Sequence, residues 1–455
     1  MTPARPAEFG YVTPETLGLF TDLYELTMAQ GYLAADHAPR ATFDLFVRDL
    51  PPDRGYLVAS GLEQVVAYLE TLSFGDAALD YLRDEGFGDR LLDWLADLSF
   101  TGDVRAIPEG TVVFPDEPLV EVTAPIPQAQ LLETMLINQV GYPTLVATKA
   151  ARMRDVVRRV GDGQSLVDFG ARRAHGTDAG LKLGRAAYLG GFDGTSNVAT
   201  GERFGVPVFG TMAHSWVQSF DTERASFEAF VDQYGEDSVL LVDTYDTLEG
   251  VELAVEVAED RGVDVAGVRL DSGDLVALSK AAAERLPEGM GVFVSSGMDE
   301  YEIESFLEAG GVATGFGPGT ALATVDDAPK LELVYKLVAV ERDGDLAPSM
   351  KLSTGKETFP GEKSVRRVSG PDGFERDVLD VRREDDPDDL LVDVYRDGEL
   401  VWTPPGLDEL RERAERQVTQ LPATVRALRD PATYPVEVGE ALRETVAGCK
   451  RALSV

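Results

Sequence analysis

The middle third of the chain repeats one pattern, and that pattern limits the fold more than any other feature. Five short apolar runs follow one another: "VPVFGTMAHS" (206–215), "SVLLVDTYDT" (238–247), "VAGVRLDSGD" (265–274), "GVFVSSGMDE" (291–300) and "VATGFGPGT" (312–320). Each ends in a Gly- or Asp-rich loop. Helical stretches such as "GVELAVEVAEDRG" and "LVALSKAAAERL" lie between them. The repeat of roughly 20 to 30 residues fits βα units. "SLVDFGARRAHG" and "AAYLGGFDGTSN" read as two earlier strands of the set. Continuous apolar runs indicate strands buried on both faces, hence a parallel sheet. So many successive βα units are most simply a barrel. The fold class expected is α/β: an irregular (β/α) barrel with a flanking α+β domain built from N- and C-terminal segments.

The flanks read differently. "TPETLGLFTDLYELTMAQGYLAA" (13–35) is a helical segment with Pro14 near its start, and "ATFDLFVRDLP" alternates like a strand. "SGLEQVVAYLETL" and "DRLLDWLADL" are amphipathic helices, and residues 103–124 carry short strands broken by Pro and Gly. One long helix is expected from near Pro127 to residue 160. After about residue 331, "ELVYKLVAVERDGDL" and "DLLVDVYRDGEL" read as antiparallel strands with "RDGD" and "RDGE" turns. The tail is helical. The expected division is 1–125 flanking domain, 126–330 barrel, 331–405 strands returning to the flank, and 406–455 C-terminal helices.

Composition excludes several functions. No apolar run is long enough to span a membrane. The N-terminus has no secretory h-region, so a cytosolic protein is expected. The single cysteine, Cys449, excludes an internal disulfide and any Cys-rich zinc site. Asp and Glu number 80 against 42 Lys and Arg, and 9 of those bases are lysine, for a net charge of −38. The acids are spread along the whole chain. That balance disfavours nucleic acid, since no basic stripe tracks phosphates. It points instead to a halophile's protein, whose self-repulsion is screened by salt.

In a barrel of this kind the site forms at the C-terminal ends of the strands. The residues there are His214, one of only three histidines, with Asp243 and Asp246, Arg269, Asp271 and Asp274, Ser296 and Gly297, and the "GFGPGT" loop ending in Thr320. The two earlier strand ends add Arg172, Arg173 and His175, then Asp193 and Thr195. Gly315, Gly317 and Gly319 let backbone N–H groups approach an anion closely, as the phosphate site of a late barrel strand requires. Arg269 among carboxylates suits either an anionic substrate or a strand-capping ion pair. Tyr24, by periodicity alone, is a core residue.

Taken together, "TDLYELTMAQGY", "LFVRDLPPDRGYLVASGLE", "ETMLINQVGYPTLVATKAAR", "DFGARRAHG", "GTMAHSW", "VRLDSGDL", "GFGPGT", "YKLVAV" and "MKLSTGKETFPGEK" resemble nicotinate phosphoribosyltransferase, in order over nearly the whole chain. The charge adds a halophilic archaeal type. The resemblance implies formation of nicotinate mononucleotide and pyrophosphate from nicotinate and phosphoribosyl pyrophosphate, with ATP hydrolysis and Mg²⁺, in NAD salvage. It implies that ATP transiently phosphorylates His214. It also implies that Tyr24, Thr211 and Arg269 contact nicotinate, with Phe169 and Arg172 near the pyridine ring. Thr320, with Gly297, Gly317 and Gly319, would hold the phosphoribosyl donor. Asp243 and Asp271 are expected at the ribose or magnesium, where carboxylates stabilise the charge growing on the sugar. A homodimer with Tyr24 lent to the partner's site is implied. No zinc is carried over. The rivals are a nicotinamide or quinolinate phosphoribosyltransferase, or a non-catalytic phosphosugar-binding barrel.

Overall fold

Four of the five apolar runs of the middle third, and both earlier candidates, become parallel strands in the computed structural model. The structure describes residues 12–352, 357–384 and 386–453, so "MKLSTGKETFPGEK" lies partly outside the described residues. The chain divides into two compact units. One comprises Met1–Thr144, Lys330–Gly406 and Gln420–Val455; the other comprises Leu145–Pro329 and Leu407–Thr419. The division falls inside the helix Glu133–Arg159, not at residue 126, and assigns part of the tail to the second unit. No helix among the described residues is long and apolar enough to cross a membrane.

The second unit holds a six-stranded parallel sheet. Its order is Gly194–Thr195, Ser165–Asp168, Gly315–Gly317, Gly291–Ser295, Gly267–Leu270, Val239–Leu241. The order runs round the chain, with the last strand beside the first, as in a barrel. Only the "VPVFG" run departs. It contributes a single parallel bridge, Thr195 to Val208, and no strand. The cause is local: Pro207 has no N–H to give a ladder. No ladder among the described residues joins this run to Val239–Leu241. One side-chain bond spans the gap, the Thr211 hydroxyl donating to the Val239 carbonyl at 2.5 Å.

Helices fill the intervals between the strands, and the Asp-rich loops start several of them. Asp246, Asp274 and Asp299 are N-caps whose carboxylates accept backbone N–H bonds at the heads of Thr247–Arg261, Leu275–Ala283 and Glu300–Glu308. Such a cap is worth about 1 kcal/mol. Asp246 and Asp274 are therefore structural, although sequence position placed them with the chemistry.

In the first unit the late strands pair with the early ones. The seven-stranded antiparallel sheet runs Asp345–Pro348, Leu333–Arg342, Arg40–Val47, Pro118–Pro125, Asp103–Ala106, Val392–Arg396, Glu399–Leu400. The two "DG" turns form its hairpins, with Asp343 and Gly344 at φ 54° and 93°, and Asp397 and Gly398 at 50° and 80°. Both residues left-handed is the type I′ geometry that matches strand twist. The expected N-terminal helix is instead a 3₁₀ turn, Pro14–Leu19, followed by the α-helix Leu23–Ala34. The expected long helix breaks at Leu132 into Ile126–Leu131 and Glu133–Arg159.

The strand Arg40–Val47 is buried on both faces. Ala41, Phe43, Leu45 and Val47 enter the apolar core, whereas Thr42 and Asp44 on the other face are also fully buried. Alternation alone would have turned these polar residues to water. Instead they meet a charged layer. Asp44 pairs with Lys363 at 2.6 Å, and Arg105 pairs with Glu121 at 2.8 Å and with Asp389. Burial raises the Asp44 carboxyl above its usual range, and Lys363 pulls it back.

Candidate active site

The C-terminal ends of the parallel strands surround a polar cleft of about 410 Å³. Its lining takes in Phe169, Arg172, Arg173, Thr211, His214, Arg269, Asp271, Ser296, Gly297, Gly317, Gly319 and Thr320 of the sequence candidates, and leaves out Tyr24, His175, Asp193, Thr195, Asp243, Asp246, Asp274 and Gly315. A narrower, apolar pocket of about 100 Å³ shares Phe169, Thr211, Arg269, Ser295 and Gly317 with the cleft. Its own walls are Val167, Phe209, Val239, Phe293 and Phe316. A flat aromatic ring suits such walls.

Local backbone explains how each side chain arrives. His214 is the first residue of the short helix His214–Gln218, directly after the loop that crosses the open seam. Its Nδ1 lies 3.1 Å from the Thr244 hydroxyl, and its Nε2 lies 3.9 Å from Asp271 Oδ2. Asp271 follows the strand Gly267–Leu270, and its other oxygen accepts a 2.6 Å bond from the Ser295 hydroxyl. Asp243 works from behind. Its Oδ2 accepts the Asp271 N–H at 2.9 Å and the Ser272 hydroxyl at 2.8 Å, while Oδ1 is buried without a hydrogen-bond partner.

Arg269 points its guanidinium to the junction of the two cavities. One nitrogen donates to the Met212 carbonyl at 2.9 Å, and its Nε is buried without a hydrogen-bond partner. Burial lowers its pKa from the ordinary value, Asp271 and Asp243 raise it, and Arg172 lowers it again. No carboxylate forms an ion pair with it among the described residues. A buried cation left open in this way is a receptor for an anion.

Glycines allow the remaining approach. A Cβ on Gly317 would sit 2.6 Å from the Phe169 ring, so only glycine lets that ring lie flat against the strand. Ser296 and Gly297 are both left-handed, at φ 72° and 66°, and they turn the chain sharply after Gly291–Ser295. Thr320 opens the helix Thr320–Thr324 behind Gly319. Exposed backbone of this kind suits phosphate oxygens.

Other candidates lie outside the polar cleft, although Asp193 lines the apolar pocket. Tyr24 is carried by the first unit, on Leu23–Ala34; burial, then Glu133, Glu25 and Asp22, push its phenol pKa up. Asp193 is tied down by Arg154 and Arg411, at 2.6 Å each, and by the Leu166 N–H. Thr195 donates to buried Asp168 at 2.7 Å, and His175 is exposed outside the cleft lining. Thr244 and Ser295 went unmarked in the sequence. The signal was present, because each hydroxyl stands at or just beyond the C-terminal end of a strand.

The chain matches a known family along most of its length. Residues 19–141 match the N-terminal domain model of nicotinate phosphoribosyltransferase, 164–365 match the family model, and 380–446 match its C-terminal domain model. A nicotinate phosphoribosyltransferase of Mycobacterium tuberculosis is 47% identical over 432 residues, which are 93% of this chain and 91% of that protein. One of Bacillus subtilis is 38% identical over 470 residues, 95% of each. The crystal structure of human nicotinic acid phosphoribosyltransferase superposes with a TM-score of 0.81 at 31% identity, over 94% of this chain and 99% of that one. With sequence and fold in agreement, the chain belongs to the nicotinate phosphoribosyltransferase family.

Proposed function

We propose that the cleft joins nicotinate to the ribose of phosphoribosyl pyrophosphate, releasing pyrophosphate and nicotinate mononucleotide, and that ATP hydrolysis is coupled to this through a phosphohistidine at His214. The observation that carries the reading is Arg269. Among the described residues its guanidinium has no carboxylate partner, and it stands where an apolar ring pocket meets a polar cleft. A planar acid with an aromatic ring satisfies both halves at once. Phe169 and Thr211 flank that ring, Arg172 adds positive charge, and the Gly297, Gly317, Gly319 and Thr320 backbone receives the donor's phosphates.

The donor set also fits Mg²⁺. Among the described residues Asp243 Oδ1 is buried without a hydrogen-bond partner, and Asp271 Oδ2 stands 3.9 Å from His214 Nε2. Two carboxylates beside substrate phosphates are the usual protein share of a magnesium site. When bound, the ion neutralises diphosphate charge and favours its departure. Asp271 is then also placed to stabilise positive charge on the ribose.

The finer reading is a homodimer in the cytosol of a halophile, with a barrel that is incomplete at one seam and Tyr24 lent to the partner's cleft. The support is the net charge of −38 and the exposed apolar run Phe20, Leu23, Tyr24 and Met28 about the first long helix. Turnover with nicotinate, nicotinamide and quinolinate, each with and without ATP, tests the chemistry. Nicotinate should be preferred and stimulated by ATP. Equal use of nicotinamide, or transfer to quinolinate without ATP, would overturn the assignment. Labelling with γ-phosphate-labelled ATP should give an acid-labile phosphoprotein that His214→Ala cannot form.

A further inference from the structure

The imidazole of His214 can react through either nitrogen, and the structure distinguishes the two. Nδ1 lies 3.1 Å from the Thr244 hydroxyl, within hydrogen-bond range. Nε2 faces Asp271 at 3.9 Å, beyond that range. Asp271 is restrained from closing that gap. Ser295 holds one of its oxygens at 2.6 Å, and Asp243 holds its backbone N–H at 2.9 Å. Thr244 is half-buried in the loop between Val239–Leu241 and Thr247–Arg261, and Asp246 caps the helix two residues on. The residue is thus held in a short loop between a strand and a capped helix.

We infer that Thr244 is a positioning residue that accepts the Nδ1–H of His214 and so leaves the Nε2 lone pair free toward the cleft. This rests on the phosphohistidine reading above. A neutral imidazole carries one N–H, and the hydrogen bond made by one nitrogen sets which nitrogen is nucleophilic. A nearby carboxylate favours a proton on Nε2, which would block attack. At 3.9 Å Asp271 makes no such bond, and with Nδ1–H donated to Thr244 the Nε2 lone pair stays free. The step balances. The Nε2 lone pair forms the N–P bond to the terminal phosphorus of a nucleoside triphosphate. The bond to the bridging oxygen breaks, and its electrons leave with the diphosphate. The Nδ1 proton stays in its bond to Thr244. In the reverse cleavage that retained proton makes the imidazole a better leaving group.

Only three histidines are present, so their ring nitrogens can be assigned one by one with His37→Gln and His175→Gln variants. In the ¹⁵N-histidine-labelled wild-type enzyme near pH 8, long-range ¹⁵N–¹H spectra should show His214 protonated at Nδ1. Phosphorus NMR of the ATP-treated enzyme should place the phosphoryl group on Nε2. Thr244→Val should lower the ATP-coupled rate roughly 10- to 100-fold, the range for losing one bond to a group that becomes charged. Its ATP-independent transfer and its KM for nicotinate should stay near wild type. Thr244→Ser, which keeps the hydroxyl, should restore the coupled rate. A proton on Nε2, a phosphoryl group on Nδ1, or full coupled rate in Thr244→Val would each overturn the inference. If Thr244→Val does not fold, the wild-type spectra and Thr244→Ser still decide it. Absence of any phosphohistidine in the wild type would refute the coupling reading instead, and the tautomer of the unphosphorylated ring would still judge Thr244.

Discussion

Replacing Arg269 with alanine separates base selection from donor binding. In the free protein the side chain makes one bond, to the Met212 carbonyl at 2.9 Å, and its Nε is buried without a partner. Losing the first costs about 1 kcal/mol, and removing the second relieves a penalty of about the same size. The melting temperature should therefore move by no more than a few degrees. Binding is another matter. Truncating one partner of a buried, hydrogen-bonded charge pair costs about 2–5 kcal/mol. At about 1.4 kcal/mol per tenfold, kcat/KM for nicotinate should fall at least roughly 30-fold. Nicotinamide lacks the carboxylate and should lose much less. Arg269→Lys should recover only part of the loss, because a point charge lacks the planar fork. The assay is kcat/KM for both bases at saturating donor, with the Kd of phosphoribosyl pyrophosphate measured separately. Equal losses for both bases, together with weaker donor binding, would refute the argument and assign Arg269 to the diphosphate.

Three further outcomes follow from the structure. Glu117 is fully buried, and burial together with the neighbouring Asp377 raises its pKa well above the usual carboxyl value. The folded state therefore keeps a proton that the unfolded chain releases, and stability falls as pH rises from the unfolded pKa to the folded one; Glu117→Gln should flatten that decline in urea titrations between pH 5 and 8, and an unchanged slope would contradict it. Lys363→Met should destabilise the first unit by about 3–5 kcal/mol by stranding Asp44, while adding Asp44→Leu should recover most of that loss; additive losses in the double variant would show that the pair is not coupled. The net charge of −38 predicts unfolding on dialysis from about 1 M salt, where the Debye length is about 3 Å, to 0.1 M, followed by circular dichroism; full structure and activity at 0.1 M would refute the halophile reading but leave the enzyme intact.

What was legible in the sequence was whatever depends on spacing along the chain. Apolar runs that end in Gly or Asp gave the parallel strands and placed His214, Arg269, Asp271 and Thr320 around one cleft, because consecutive βα units bring strand ends together. "DG" between alternating residues gave both hairpins. Chemistry that depends on partners distant in the chain was hidden. Asp246 and Asp193 look alike as acids after apolar runs, yet one caps a helix and the other is held by Arg411, 218 residues away. Nothing in the alternating strand that carries Asp44 announced its buried partner, Lys363, 319 residues on. Thr211 is the instructive case. The family resemblance gives its hydroxyl to nicotinate, and the structure gives that hydroxyl to the Val239 carbonyl across the open seam. Both can hold, since a hydroxyl that donates to a carbonyl still has lone pairs to offer. Thr211 and Val239 both line the ring pocket, so the bond between them sets part of that pocket's wall where, among the described residues, no ladder closes the sheet.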